Sequence, residues 1–305
     1  MRNAVGYIVT IVAALCWGAS GVSADYLMTG HGIELTLISF CRMFTAGVLT
    51  IASALARARG ITPAHRELVT SARNWRTLVV YALFGLAACQ ISYMEVIRAS
   101  NARTGTVLQY LGLILIVVWM CLSHRRWPRA AEVVAIVLAL SGTFLLSTHG
   151  SLDTLALTPV TLAWGAVAAL TLATYTLLPA RLIAAYGAQL VVGYGLIIAG
   201  AGVGLGGRVW RYSITWTPDV ILAMTITVVL GTAVAFTAYL WGVDRIGPVR
   251  ASLVGCVEPI AATGFSALIM GSSYTGADIV GMALIIGAVV TISLVDLIRA
   301  RRVTQ

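Results

Sequence analysis

Ten apolar runs of about 20 residues each follow one another along the chain. A bilayer core of about 30 Å is crossed by about 20 residues of α-helix, so each run is long enough to span a membrane. Only 10% of the residues are charged, whereas a soluble domain typically carries about 25%. We therefore predict an all-α integral membrane protein of ten transmembrane helices, without a separate soluble domain. The helices lie roughly at residues 5–27, 33–56, 77–97, 102–122, 130–148, 157–179, 184–207, 219–243, 249–270 and 276–298.

The basic residues are all arginines and fall mainly between the apolar runs. If the N-terminus is cytoplasmic, 15 arginines lie on the inner side and four on the outer side, and the remaining one, Arg42, lies within the second helix. Cytoplasmic loops of membrane proteins are rich in Lys and Arg. We therefore predict that both termini are cytoplasmic in a bacterial plasma membrane. The net charge of +9 then reflects orientation in the lipid bilayer rather than a nucleic-acid partner.

Several motifs that carry chemistry in other proteins occur here without the context they need. Gly202–Gly207 matches a dinucleotide fingerprint but has no strand before it, so it is better explained by close packing of helices. Gly18–Gly21 matches an intramembrane protease motif, but the four histidines lie in loops or at helix ends. The run after Arg2 resembles a signal peptide, yet it continues to Tyr26 and is predicted to be the first helix. Five isolated cysteines form no C-x-x-C pair. We predict no catalytic site, no metal and no cofactor.

The two halves of the sequence resemble each other. An ungapped shift of 146 residues aligns Ala131–Val133 with Ala277–Ile279 and covers three helices with their loops. We predict two five-helix repeats, residues 1–150 and 151–305. Because five is odd, the second repeat enters the membrane from the opposite side. Inverted repeats are typical of secondary transporters, whose substrate site lies near the midplane between the repeats.

Short motifs in five helices resemble the drug/metabolite transporter superfamily, specifically its EamA-type ten-helix members. The resemblance covers nearly the whole chain and implies an alternating-access transporter of amino acids or related metabolites, often exported. One departure concerns the loops before helices 5 and 10, where the family often has a Gly-Glu pair and this chain has His124–Arg126 and Met270–Ser272. The motifs are Trp17-Gly18, Phe40-Cys41-Arg42, Ile91-Ser92-Tyr93, Gln109-Tyr110-Leu111 and Glu258-Pro259.

Polar residues inside the apolar runs are the candidates for a substrate site. A charge at the bilayer centre costs about 3 kcal/mol on insertion scales, so it indicates a function. Arg42, Glu258, Trp17 and Gln109 all lie deep in their helices and are predicted to share one layer. The first helices align with a shift of 155 residues, which places Ile197 opposite Arg42. The shift of 146 places Gly112 opposite Glu258 and Gly255 opposite Gln109. Polar groups that break the internal symmetry suit a site for one asymmetric molecule.

Glu258 has two further interpretations. Because Pro259 removes a backbone hydrogen bond and exposes a carbonyl, a carboxylate at this break could carry a coupling proton. Alternatively, Glu258 forms a structural ion pair with Arg42, or Arg42 bonds backbone carbonyls.

Aromatic residues are predicted to complete the wall of the site. Tyr110, beside Gln109, and Tyr175 are candidates. Tyr93, Tyr239 and Trp241 fit an anchoring role at the membrane interface as well as a lining role. The full set of aromatic candidates is Tyr93, Tyr110, Trp119, Tyr175, Tyr239 and Trp241. Asp25 and Glu34, near helix ends, could line an outer vestibule.

The sequence predicts a secondary transporter that moves a small polar metabolite across the plasma membrane. Arg42 would hold a carboxylate, and Glu258 an amine or a proton. One alternative is an uptake permease for a quaternary amine such as choline, bound by aromatic faces. A second is a non-transporting membrane assembly or receptor protein. The oligomeric state stays open between a monomer and a homodimer.

Overall fold

The computed structural model describes residues 2–100, 102–152, 155, 157–270 and 274–303. Within them, ten helices are long and apolar enough to cross a membrane. The prediction of a ten-helix membrane protein is confirmed. The helices are α1 (Ala4–Gly30), α2 (Leu35–Ala58), α3 (Ala72–Ala99), α4 (Thr104–Ser123), α5 (Ala130–Thr148), α6 (Pro159–Tyr186), α7 (Ala188–Gly206), α8 (Pro218–Ile246), α9 (Pro248–Leu268) and α10 (Gly276–Leu294).

Two of the predicted connections differ from those observed. The predicted long loop at 57–76 contains a short helix, Pro63–Thr70, because the side chain of Thr62 caps its N-terminus and Pro63 occupies its first turn. The predicted gap at 180–183 is helical, and a single residue, Gly187, separates α6 from α7. Gly187 has φ +82°, a left-handed conformation that glycine adopts without steric cost. The tight turn at Gly187 replaces the predicted connection at 180–183.

The packing of the helices repeats between the two halves. Helix α1 packs against α8 and α9, and its counterpart α6 packs against α3 and α4. Helices α2 and α7 pack against each other, as do α5 and α10. These contacts therefore correspond between the two halves, which is the arrangement expected of two inverted five-helix repeats.

Interruptions of regular helix also recur at equivalent positions. Helix α3 is π-helical over Tyr81–Ala87, and α8 is π-helical over Ile226–Val234. The repeat shift of 146 residues relates the two segments, and each end agrees to within one residue. Helix α4 is broken at Leu111 and α9 at Cys256. Such irregular backbone occurs at membrane depth where it is buried in protein or lines a cavity.

Glycines bring the helix backbones close together. A Cβ on Gly200 of α7 would lie 2.6 Å from the backbone nitrogen of Phe44, and one on Gly47 of α2 would lie 2.6 Å from that of Ile197. A Cβ on Gly204 would lie 2.5 Å from the ring of Phe40. The small-residue motif within Gly202–Gly207 thus belongs to a tract that packs helices, as predicted.

Candidate functional site

A cavity of about 320 Å³ lies between the two repeats. Residues of α1, α2, α3, α4, α6, α8 and α9 line it. Its lining reaches Met28, Leu35 and Ile97 at the ends of α1, α2 and α3, so the cavity opens at the face that carries the 31–34 connection. In the described part of the chain, the Pro63–Thr70 helix at the opposite face contributes nothing to the lining. All seven candidate residues line this single cavity: Trp17, Arg42, Gln109, Tyr110, Tyr175, Tyr239 and Glu258.

Tyr110 and Glu258 join the broken helices α4 and α9. The hydroxyl of Tyr110 donates to Oε2 of Glu258 over 3.0 Å and lies 3.3 Å from the carbonyl oxygen of Gly255. Gly255 lies four residues before Pro259, which has no N–H to donate to it. Pro259 therefore leaves the carbonyl of Gly255 without its helical partner, and the hydroxyl of Tyr110 from the other repeat lies within hydrogen-bond distance of it.

Arg42 reaches the cavity from α2 and is oriented by α8. Its Nε donates to Oγ1 of Thr232 over 3.1 Å. Thr232 lies in the π-helical segment of α8, where its own hydroxyl donates to the carbonyl of Thr227 over 2.9 Å. The irregular backbone thus presents a side-chain acceptor to the guanidinium.

Arg42 and Glu258 form no direct ion pair in the described structure. Both side chains lie in the described part of the chain, and no nitrogen of Arg42 comes within 4.0 Å of a Glu258 oxygen. The interpretation of a direct structural pair is therefore wrong for this state. A cation and an anion face one cavity, each held by a neutral hydroxyl group.

Four aromatic rings close the inner end of the cavity. The ring centroid of Trp17 lies 5.3 Å from that of Phe236 and 5.0 Å from that of Tyr239. The ring centroid of Tyr175 lies 5.9 Å from that of Phe236 and 6.1 Å from that of Tyr239. These distances are typical of favourable aromatic pairs. We call Trp17, Tyr175, Phe236 and Tyr239 the aromatic floor.

A hydrogen-bond network ties the helices beneath the aromatic floor. The hydroxyl of Tyr239 lies 2.8 Å from Oγ of Ser252 and 3.3 Å from Oγ1 of Thr176. These residues come from α8, α9 and α6, so the network joins both repeats. Tyr239 is buried and lines the cavity rather than anchoring the protein at a membrane interface.

The other aromatic candidates divide between the cavity and the surface. Tyr93 lines the cavity, and its hydroxyl lies 3.3 Å from Oγ1 of Thr106. Trp119 is 58% exposed and is absent from the cavity lining. Trp241 lies outside the cavity lining. The guanidinium of Arg245 lies over the Trp241 ring, with Cζ 4.3 Å from the ring centroid.

The two acidic candidates for a vestibule also separate. Asp25 lines the mouth of the cavity. Glu34 forms an exposed ion pair of 2.8 Å with Arg98 and is absent from the cavity lining.

The lining also contains residues that the sequence analysis did not choose as candidates, among them Gln90, Phe236 and Ser20. Gln90 is an intramembrane amide like Gln109, and it donates to Oγ of Ser39 over 2.9 Å. Phe236 lies three residues before Tyr239, a helical spacing that could have identified it. Ser20 is buried, and its hydroxyl has no hydrogen-bond partner among the described residues. Ser20 belongs to the Gly18–Gly21 motif, which was considered only as a protease motif and not as part of a binding site.

The position that corresponds to Glu258 in the first repeat is blocked. A Cβ on Gly112 would lie 2.6 Å from the carbonyl oxygen of Ala169, so no larger side chain fits between α4 and α6. Equivalent positions of the two repeats therefore have different roles. Gly112 in α4 allows close helix packing, whereas Glu258 in α9 places a carboxylate in the cavity. The asymmetry between Glu258 and Gly112 therefore has a steric cause.

The cavity lining combines charged groups, amides and aromatic faces. Within the described ranges, His, Cys, Asp and Glu form no group of three that could hold a metal ion. Cys89 instead accepts a hydrogen bond from Nε2 of Gln109 over 3.1 Å. The lining offers one guanidinium (Arg42), two carboxylates (Glu258 and, at the mouth, Asp25), two amides and aromatic faces in a volume suited to a small molecule.

Comparison with known proteins gives three findings. Residues 4–148 and 160–294 each match the model of the EamA-like transporter family. The chain is 33% identical over 296 residues to YicL, an uncharacterized inner membrane transporter of Salmonella typhimurium, and the match covers 97% of both proteins. A protein of known crystal structure superposes with a TM-score of 0.81 at 18% identity, over 98% of this chain and 99% of the other. The last likeness concerns the fold alone.

Proposed function

Because the chain belongs to the EamA-like transporter family, we propose that it is a secondary active transporter of a small zwitterionic metabolite, an amino acid or a related compound. Family membership favours transport over a non-transporting assembly or receptor role. The two repeats rock around the central cavity, which opens alternately to the two sides. The described structure corresponds to the state open at the 31–34 face.

The observation that carries this proposal is the pairing of opposite charges across one cavity. Arg42 offers a planar guanidinium that matches a carboxylate, and Glu258 offers a carboxylate that matches an amine. The unpartnered hydroxyl of Ser20 and the amides of Gln90 and Gln109 provide neutral contacts. A volume of about 320 Å³ accommodates a molecule of amino-acid size.

Direction and coupling form the finer part of the proposal. With 15 arginines on the side of the termini and four on the other, both termini lie in the cytoplasm of a bacterium. The 31–34 face is then external. We propose export as the direction because the resemblance to EamA-type members implies it. Glu258 exchanges a proton for the substrate amine, which couples export to proton entry.

A quaternary amine such as choline is the second candidate substrate. The aromatic floor favours it, because a desolvated cation is attracted to aromatic faces by about 2 kcal/mol or more. This substrate would use Glu258 and the rings but would leave Arg42 without a ligand.

Counterflow in reconstituted vesicles separates the two candidates. Vesicles loaded with unlabelled amino acid pools should take up a labelled amino acid from the same pool, and choline should compete weakly. Strong competition by choline with no response to amino acids would replace the proposed substrate class. No exchange with any pool would contradict transport of these classes.

A further inference from the structure

A second cavity lies at the opposite membrane face, in a groove between α3 and α6. Its volume is about 410 Å³. Five of its lining residues belong to the first turns of α3, and the sixth lies at the break in α6. They are Ala72, Arg73, Arg76, Thr77, Val80 and Leu178.

Two guanidinium groups of this groove lack an acidic partner. Arg73 and Arg76 are both exposed, and neither forms an ion pair within the described ranges. Residues three apart on a helix are neighbours on one face. Two neighbouring guanidiniums beside a groove favour an anion, and their planar forks fit phosphate oxygens.

The depth of the groove matches the headgroup layer of a bilayer. Helix α3 has 28 residues and is about 42 Å long at 1.5 Å per residue. The hydrocarbon core is about 30 Å thick, or about 40–45 Å with the headgroups. The first turns of α3, which carry Arg73 and Arg76, therefore lie among the headgroups. Val80 and Leu178 come next and border the hydrocarbon.

We propose that this groove binds one anionic phospholipid. The phosphate lies on Arg73 and Arg76, and an acyl chain runs along Val80 and Leu178. Charge complementarity selects the headgroup, and the apolar end of the groove selects a lipid over a free phosphate.

The lipid touches both helices where their regular hydrogen bonding is interrupted. Val80 directly precedes the π-helical segment Tyr81–Ala87, and Leu178 follows the first segment of α6, Pro159–Leu177. Both α3 and α6 continue to the substrate cavity. Binding at this groove therefore biases the packing of two helices that move in the transport cycle.

The experiment titrates the full-length purified protein with phosphatidylglycerol and follows lipid adducts by native mass spectrometry. The double variant R73Q/R76Q should bind about 30-fold more weakly, which corresponds to about 1 kcal/mol for each guanidinium. The matched control R59Q/R125Q removes two exposed charges of the same face outside the groove, and its affinity should change less than about threefold. Phosphatidylcholine should bind far more weakly, and inorganic phosphate should not displace the lipid.

Three outcomes would overturn the proposal. One is unchanged affinity in R73Q/R76Q, and another is an equal loss in the control. The third is displacement by inorganic phosphate, which would make this a site for a soluble anion. The variant R73K/R76K keeps both charges and guards against a folding defect, and it should retain most of the lipid affinity.

Discussion

The hydroxyl of Tyr110 lies 3.0 Å from Oε2 of Glu258 and so connects the two repeats at the centre of the cavity. Tyr110 ends the first segment of α4, and Glu258 lies just after the break of α9. The contact exists because both helices are interrupted at equivalent depths. Glu258 of the second repeat, the carboxylate at the centre of the cavity, thus accepts a hydrogen bond from Tyr110 of the first repeat.

Removing the tyrosine hydroxyl should impair transport. A hydrogen bond to a charged group contributes about 1.5–3 kcal/mol, so Y110F should lower transport by about tenfold or more in reconstituted vesicles. The same change at the exposed Tyr212, Y212F, should leave transport unaltered. Equal kinetics of Y110F and the unmodified protein would show that the contact is not used.

Arg42 should distinguish a carboxylate substrate from a simple cation. We expect R42Q to lower transport of a zwitterion by at least about tenfold, because the carboxylate loses its charged donor. R42K should retain part of the activity, since it keeps the charge but loses the planar fork and the Nε donor to Thr232. Uptake assays with an amino acid and with choline measure both effects. If R42Q transports amino acids at the full rate, the carboxylate does not bind there.

Neutralising Glu258 should uncouple transport from protons. In E258Q the side chain cannot gain or lose a proton and no longer offers a charge to the substrate amine. Substrate exchange should therefore slow, and the exchange that remains should no longer respond to an imposed pH gradient. The control is E95Q, which breaks an exposed ion pair of 2.9 Å with Arg98 that contributes at most about 1 kcal/mol. Internal pH indicators in the vesicles measure the coupling. Proton-coupled transport that persists in E258Q would assign the proton to another group.

Two glycine substitutions should change stability in opposite directions. In G18A the new Cβ would lie 2.5 Å from Cβ of Ala261 and 2.7 Å from the backbone of Ala262, so α1 and α9 must separate. We expect a loss of about 1–3 kcal/mol in the free energy of unfolding. In G264A the Cβ meets nothing within 4 Å, and alanine favours the helix by up to about 1 kcal/mol. Thermal unfolding in detergent should rank the variants in this order, and a G18A protein as stable as G264A would contradict the close approach.

Much of the fold could be predicted because the bilayer restricts what a chain can do. Runs such as residues 219–243 must be helical to satisfy their backbone in lipid, and an ungapped shift of 146 residues reveals the repeat. The errors occur where local packing decides. The segment at 180–183 contains Arg181 and was predicted as a connection, yet it continues as helix to the turn at Gly187.

The site was predictable where a single residue is costly in lipid, and unpredictable where neighbours decide its role. Burial cost singles out Arg42 and Glu258 from the sequence alone. Whether they pair directly depends on distances between α2 and α9, which no local pattern contains. The same is true of Trp119 and Tyr239: both are aromatic residues within apolar runs, but Trp119 faces outward and Tyr239 faces the cavity.

The sequence by itself determined the ten membrane helices, their division into two opposed repeats, and the polar residues that no lipid-facing surface would carry. Only the tertiary structure decided that Tyr110 binds Glu258, that Arg42 binds Thr232, and that Gln90, Phe236 and Ser20 join the lining. The physical reason is that hydrophobicity acts residue by residue along the chain, whereas hydrogen bonds and close contacts require positions fixed by helices far apart in sequence.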